Sequence, residues 1–157
     1  MSEKLSHIND EGNAHMVDVS DRDITQRSAS ASGKVLLSKS VLSLISEGKT
    51  PKGDVLATAR IAGIMGAKKT AELIPLCHPI SISSITVDLE IADDGVNIYS
   101  TVKISDRTGV EMEALTAVSI AALTIIDMTK ALDPGATIEH VQVDEKDGGR
   151  NGHWKRT

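Results

Sequence analysis

Two alternating runs set back to back constrain this chain most. Ile85, Val87, Leu89 and Ile91 alternate with Thr86, Asp88 and Glu90, and after Asp93-Asp94-Gly95 the pattern resumes with Val96, Ile98, Val102 and Ile104. Side chains alternate across a strand with a period of two, so each run has one apolar face, and the Asp-Gly turn between them predicts a hairpin. A lone hairpin is marginal in water and needs further strands or a helix over its apolar face. The cover must come almost without aromatics, because the chain has Tyr99, Trp154 and no Phe. Ile, Leu, Val, Met and Ala must build the core.

The rest of the chain supplies candidates for that cover. Ser28-Ala29-Ser30-Ala31-Ser32-Gly33 has the composition of a flexible linker. Yet Ala29, Ala31, Gly33, Val35 and Leu37 share one face at period two, which reads as a strand with a small-residue face. Residues 15–20 alternate briefly and suggest another short strand. Val41, Leu42, Leu44 and Ile45 suit an amphipathic helix stopped near Gly48. Thr50-Pro51 has the form of an N-cap followed by a first-turn proline, and the helix after it is expected to run to about Leu73. It carries Ala59, Ala62, Gly63, Gly66 and Ala67, and glycine inside a helix costs about 1 kcal/mol against alanine. Close approach of another backbone would account for keeping such residues. Thr108-Gly109-Val110-Glu111 has capping-box spacing, and a long helix is expected from there to about Leu132, before Pro134-Gly135. Val141 and Val143 suggest a last strand. The elements sum to one α+β domain over residues 1–157, with an antiparallel sheet and helices on one face. Residues 1–14 and 147–157 are expected to be loose.

Composition then narrows the function. Lys and Arg total 17 against 22 Asp and Glu, a net charge of −5, unlike a general nucleic-acid coat protein. So few aromatics leave almost no stacking platform for single strands. Cys77 is the single cysteine, so no intrachain disulfide can form and a reducing cytoplasm is the expected compartment. The polar first five residues carry no apolar signal core, and no apolar run approaches the roughly 20 residues of a membrane helix.

The polar residues of the long helix are the most informative for chemistry. At 100° per residue, Glu113, Thr116, Thr124, Asp127 and Lys130 fall within an arc of roughly 120° on an otherwise apolar helix. The stripe reads either as a solvent-facing face or as the polar wall of a cleft. Glu113 and Asp127 are 14 residues apart, about 21 Å on a straight helix. Either Glu113 precedes the regular helix, or the two serve different sites, or one site is assembled across a subunit interface. Glu111 reads as the capping-box acid. Leu76-Cys77-His78-Pro79 sits between a helix and a strand. Without a second cysteine or a paired histidine it is a poor metal motif, and His78 reads as a polar contact or an acid–base group. Lys52 is either an exposed first-turn lysine or one held near a helix N-terminus, where anions bind. Lys146 is either on a loop that closes over a ligand or on a frayed end.

Taken together the motifs resemble the MoaC family. The match runs through His15-Met16-Val17-Asp18-Val19-Ser20, Lys52-Gly53-Asp54-Val55, Ala57-Thr58-Ala59-Arg60-Ile61-Ala62-Gly63 and Ile74-Pro75-Leu76-Cys77-His78-Pro79. It continues through Thr108-Gly109-Val110-Glu111-Met112-Glu113-Ala114-Leu115-Thr116-Ala117 to Asp127-Met128 and Lys130, about residues 7–149 in all. The resemblance implies a ferredoxin-like fold and a homohexamer, a trimer of dimers with sites between subunits. It implies the cyclic pyranopterin monophosphate synthase reaction of molybdenum cofactor biosynthesis. There 3′,8-cyclo-7,8-dihydro-GTP, made by a radical-SAM enzyme, is rearranged with loss of pyrophosphate. By resemblance Lys52, Asp127 and Lys130 are the acid–base residues. Leu76, Cys77, His78, Met112, Glu113, Glu111, Lys146 and Arg27 contact the substrate. No redox cofactor or bound metal is implied, and the sequence leaves open whether Mg²⁺ accompanies the triphosphate. The tail departs from the family's Gly-Gly-Lys-Ser-Gly type, reading Gly148-Gly149-Arg150-Asn151-Gly152. The alternative functions are a catalytically silent triphosphate-binding module and a structural oligomerisation domain.

Overall fold

The computed structural model of the chain describes residues 6–157. The expected hairpin is present: β2 (Ile82–Ala92) and β3 (Gly95–Asp106) pair antiparallel, closing with Ala92 opposite Gly95 around Asp93 and Asp94. The serine- and alanine-rich segment is a strand, β1 (Thr25–Leu36), and lies at the sheet centre between β3 and β4 (Thr137–Asp147). Its small residues face inward: Ala29, Ala31 and Val35 are all buried. An added Cβ at Gly33 would lie 2.6 Å from Val118 Cγ1, so a helix sits directly on this strand. A bulge opposite Gly33, where His140 and Val141 face a single residue of β1, bends β4.

Between β1 and β2 lie α1 (Lys39–Ser46), α2 (Val55–Lys68) and the short α3 (Thr70–Leu73); α4 (Glu111–Thr129) joins β3 to β4. The strand order is β2-β3-β1-β4-β5, with β5 (Trp154–Lys155) on the outer edge. The β-α-β-β-α-β succession, with β1 central, is the ferredoxin-like arrangement with one small strand added. Helix α4 packs on β1, β3 and β4, and α2 packs on α4 and β2, so one face of the sheet is covered. The core is aliphatic throughout, with Val35, Ile98, Val102, Val118 and Ile125 fully buried. Ser100 on β3 donates to the carbonyl of Ala114 (2.8 Å), and Arg60 on α2 donates to the carbonyl of Val87 (2.9 Å). Helix α4 is long and apolar enough to cross a membrane by composition alone. That apolarity serves the core, since α4 is packed on its sheet side and against α2.

Several boundaries differ from expectation. Residues 15–20 pair with no strand; the Val17 carbonyl instead meets His78 in the turn after α3. Thr50 does not cap α2. Gly53, at φ 97°, holds a conformation no helix allows, and the helix starts after Asp54, whose carboxylate accepts from the Ala57 amide at 3.0 Å. Lys52 is therefore on a loop before the helix. The chain tightens at Lys69, whose amide bonds the carbonyl of Gly66, so α2 and α3 are separate. Helix α4 has no side-chain cap: Val110 occupies the N-cap, and Glu111 reaches Lys146 instead. It ends at Thr129, because the Leu132 amide turns back to the Thr129 carbonyl ahead of Pro134. Of the expected loose arm, residues 1–5 lie outside the described residues. The remainder forms a closed turn with Ile8 bridged to Ala14. The C-terminal segment carries β5, paired with β4.

Candidate active site

A cavity of about 420 Å³ opens where α4 begins. Five segments wall it, one of them the C-terminal loop with Gly148, Arg150 and Asn151. The turn after α3 contributes Leu76, Cys77 and His78; the start of α4 contributes Glu111, Met112 and Glu113; the sheet ends contribute Arg27 and Lys146; and the N-terminal arm contributes Val17 and Arg22. All eight residues implied as substrate contacts line this one space. The first turn of α4 leaves amides without helical partners, since the first helical bond runs from Ala114 to the Val110 carbonyl. The positive end of the helix dipole thus faces the cavity.

The side chains here are already partly engaged. Lys146 Nζ donates to Glu111 Oε1 at 3.0 Å, each side chain about a third exposed. Arg27 Nε donates to Thr25 Oγ1 (3.1 Å) and to the carbonyl of Asp106 (3.3 Å), which fixes its guanidinium along the sheet end. His78 Nε2 donates to the Val17 carbonyl at 2.7 Å. This bond pins the N-terminal arm across the cavity and leaves Nδ1 as the free ring atom. Arg107 holds the same arm further along, donating to the Arg22 carbonyl at 2.9 Å.

Glu113 is 4% exposed. Burial pushes its carboxyl pKa up, and the neighbouring Glu111 charge pushes the same way, against a bond from its own amide. The Cys77 thiol is raised too, by burial first and by Glu113 second, so at neutral pH it stays a thiol rather than a nucleophilic thiolate. Glu113 makes stability depend on pH. Because its native pKa lies above the ordinary 4.5, its contribution is complete below 4.5 and is lost as pH rises through the native value. Glu113→Gln should remove that loss. In thermal unfolding from pH 4.5 to 8, the variant's advantage over wild type should grow with pH. A constant difference would show that the Glu113 carboxyl has the same pKa in the native and unfolded states.

The three expected acid–base residues lie elsewhere. Asp127, on the last turns of α4, accepts from Lys130 (Oδ1, 2.7 Å) and from Lys52 (Oδ2, 3.1 Å). Lys52 also donates to the Asp127 backbone carbonyl at 3.0 Å. The hydrogen bonds from Lys130 and then Lys52 hold the carboxyl below the usual range, so it is ionised at neutral pH. The trio is open to solvent, with the Asp127 side chain 56% exposed. It stands at the opposite end of α4 from the cavity, about 21 Å from Glu113 along the helix at 1.5 Å per residue. The proposed polar stripe is not continuous. Thr116 and Thr124 spend their hydroxyls on the carbonyls of Met112 and Ile120, and Glu113 is buried.

Arg22 stands in no motif of the sequence analysis, and Val17, Arg150 and Asn151 stand there only as parts of the family match or of the tail, without a role; all four line the cavity. Only the folding of both termini onto the site brings them there. Among the described residues no three His, Cys, Asp or Glu side chains gather as a metal-binding group.

A two-layer α+β chain with a cationic, half-enclosed cavity at a helix N-terminus is built for a small anionic substrate. The sequence profile of the MoaC family matches residues 16–149. A cyclic pyranopterin monophosphate synthase from Streptomyces avermitilis is 61% identical over 155 residues, 99% of this chain and 91% of that protein. One from a Nocardioides species is 56% identical over 98% of this chain and 96% of its own length. Mycobacterium tuberculosis has a cyclic pyranopterin monophosphate synthase 2 that is 54% identical over 99% of this chain and 93% of its own length. The chain belongs to the MoaC family, and it is an enzyme.

Proposed function

We propose that the protein converts 3′,8-cyclo-7,8-dihydro-GTP to cyclic pyranopterin monophosphate, releasing pyrophosphate, in molybdenum cofactor biosynthesis. The observation that carries the mechanistic reading is the separation along α4. The cavity has binding groups, and its lysine is engaged by Glu111 while His78 is tied to Val17 through Nε2. The Lys52–Asp127–Lys130 trio has proton-transfer groups but stands about 21 Å away. In a homohexamer arranged as a trimer of dimers, the trio of one subunit meets the cavity of another, and neither end works alone.

In this reading Arg22, Arg27 and the α4 N-terminus hold the triphosphate. A sugar hydroxyl oxygen attacks the α-phosphorus, a new P–O bond forms, and the bond to the β-phosphate oxygen breaks. Pyrophosphate departs with the electron pair, its charge met by the cavity cations. Lys52, Asp127 and Lys130 move the protons of the rearrangement. Asp127 keeps both ammonium groups in place, and the lysines exchange protons with the substrate. The reaction is redox-neutral and asks for no resident cofactor. The substrate comes from the radical-SAM enzyme acting before it.

The test is pyrophosphate release from 3′,8-cyclo-7,8-dihydro-GTP by wild type and Lys52→Ala side by side. Release by wild type alone is expected. Binding of the substrate by folded wild type without release would instead make the protein a silent triphosphate-binding module.

A further inference from the structure

We propose that the C-terminal hairpin is a fastened flap, in which Trp154 and Arg156 are positioning residues that hold Arg150 and Lys146 at the cavity. The inference rests on the cavity being the substrate site.

The flap is tied at both ends. At its near end Gly148 and Gly149, with φ of 91° and 76°, lie directly on β1. A Cβ on Gly148 would run into the Gln26 carbonyl, and one on Gly149 into the Arg27 guanidinium. Only glycine lets the chain cross there. At its far end β5 is a mere two residues, pairing Trp154 with Lys146 and Lys155 with Glu145. So short a ladder needs reinforcement, and Arg156 supplies it. Its amide donates to the Asp144 carbonyl and its Nε to the Val143 carbonyl, both at 2.8 Å. Its guanidinium also lies 5.5 Å from the centre of the Trp154 ring, a cation–π contact.

Between these ties the chain turns, with the Gly152 amide on the Gly149 carbonyl, and Gly148, Arg150 and Asn151 face the cavity. Arg150 has no hydrogen bond or ion pair among the described residues. It is an uncommitted cation at the mouth of an anion-binding space, on a loop held at both ends. Lys146, opposite Trp154 in the ladder, is kept in line with Glu111 by the same pairing. The tail is thus neither a frayed end nor a free lid. It presents a guanidinium to the outer phosphates, and its setting depends on an aromatic–arginine clasp on the far side of β4.

Trp154 is the only tryptophan, so its emission reports on the clasp directly. Trp154→Ala and Arg156→Ala should each raise KM for the substrate roughly tenfold, the scale of one lost charge-assisted phosphate contact, with kcat within about twofold. Trp154→Phe should restore KM, because a ring remains for Arg156. In the wild-type oligomer, inorganic tripolyphosphate should lower acrylamide quenching of Trp154 as it saturates the site. An unchanged KM in both clasp variants, while Lys146→Ala and Arg27→Ala raise it, would overturn the flap and spare the cavity. An unchanged KM in all four would remove the cavity reading, and the flap with it. A fall in kcat alone overturns the positioning role. So does tripolyphosphate binding, followed by calorimetry, that leaves Trp154 quenching unaltered, a readout that does not depend on any variant folding.

Discussion

Mixed oligomers of Lys52→Ala and Lys146→Ala subunits, assayed at substrate well below the raised KM of Lys146→Ala, should show more activity than the sum of the two parents. Alone, Lys52→Ala loses proton transfer, and a reduction of about 10²–10⁴-fold in turnover is expected. Asp127→Asn should fall as far, because it releases two lysines at once from the carboxylate that holds them. Neither change touches the core: Lys52 and Asp127 are exposed, so the unfolding temperature and the assembly should survive. If each site takes its cavity from one subunit and its trio from another, random mixing of the two variants leaves roughly a quarter of the sites with both halves intact. Unfolding the two together, refolding and assaying pyrophosphate release measures that fraction. Activity no greater than the sum of the parents would mean that each subunit completes its own site, which requires α4 or its flanks to rearrange over about 21 Å.

Gly63→Ala should destabilise the fold, although the same change in an isolated helix stabilises it by about 1 kcal/mol. The added methyl would lie 2.8 Å from the Ala117 carbonyl oxygen, with the Ala121 and Val87 side chains at 3.3 Å. No rotamer change moves a backbone oxygen, so α2 and α4 must separate. Overpacking of this kind costs about 1–3 kcal/mol, and in a chain this long that lowers the melting temperature by roughly 2–4 °C per kcal/mol. Thermal unfolding of wild type and variant checks it. A higher melting temperature would show that the helices are not held at glycine distance.

The sequence determined the elements whose pattern is local. Alternation around Asp93-Asp94-Gly95 gave the hairpin, period-two small residues separated strand from linker in β1, and Gly63 and Gly66 announced a close helix contact that the α2–α4 packing bears out. It also named every residue type at the cavity's centre, because the Leu76-Cys77-His78 and Glu111-Met112-Glu113 clusters are contiguous. The helix starts were less legible. Capping spacings are short and frequent, and the competing partner that settles each one is remote: Lys146 drew Glu111 away from a capping box, and the backbone demand at Gly53 moved the start of α2 to Asp54.

Only the tertiary structure decided which polar residues share a space. Glu113 and Asp127 fall on related angles of one helix, yet one is buried at a cavity and the other is exposed at the far end. The reason is that α4 has neighbours of different kinds along its length, and helical periodicity fixes direction around the axis but not what stands opposite. The same holds for Arg22, Arg150 and Asn151, which lie at the two ends of the chain with no common pattern. They meet at the cavity because His78 pins the arm by Val17, and because Arg156 and Trp154 fold the tail back onto β4.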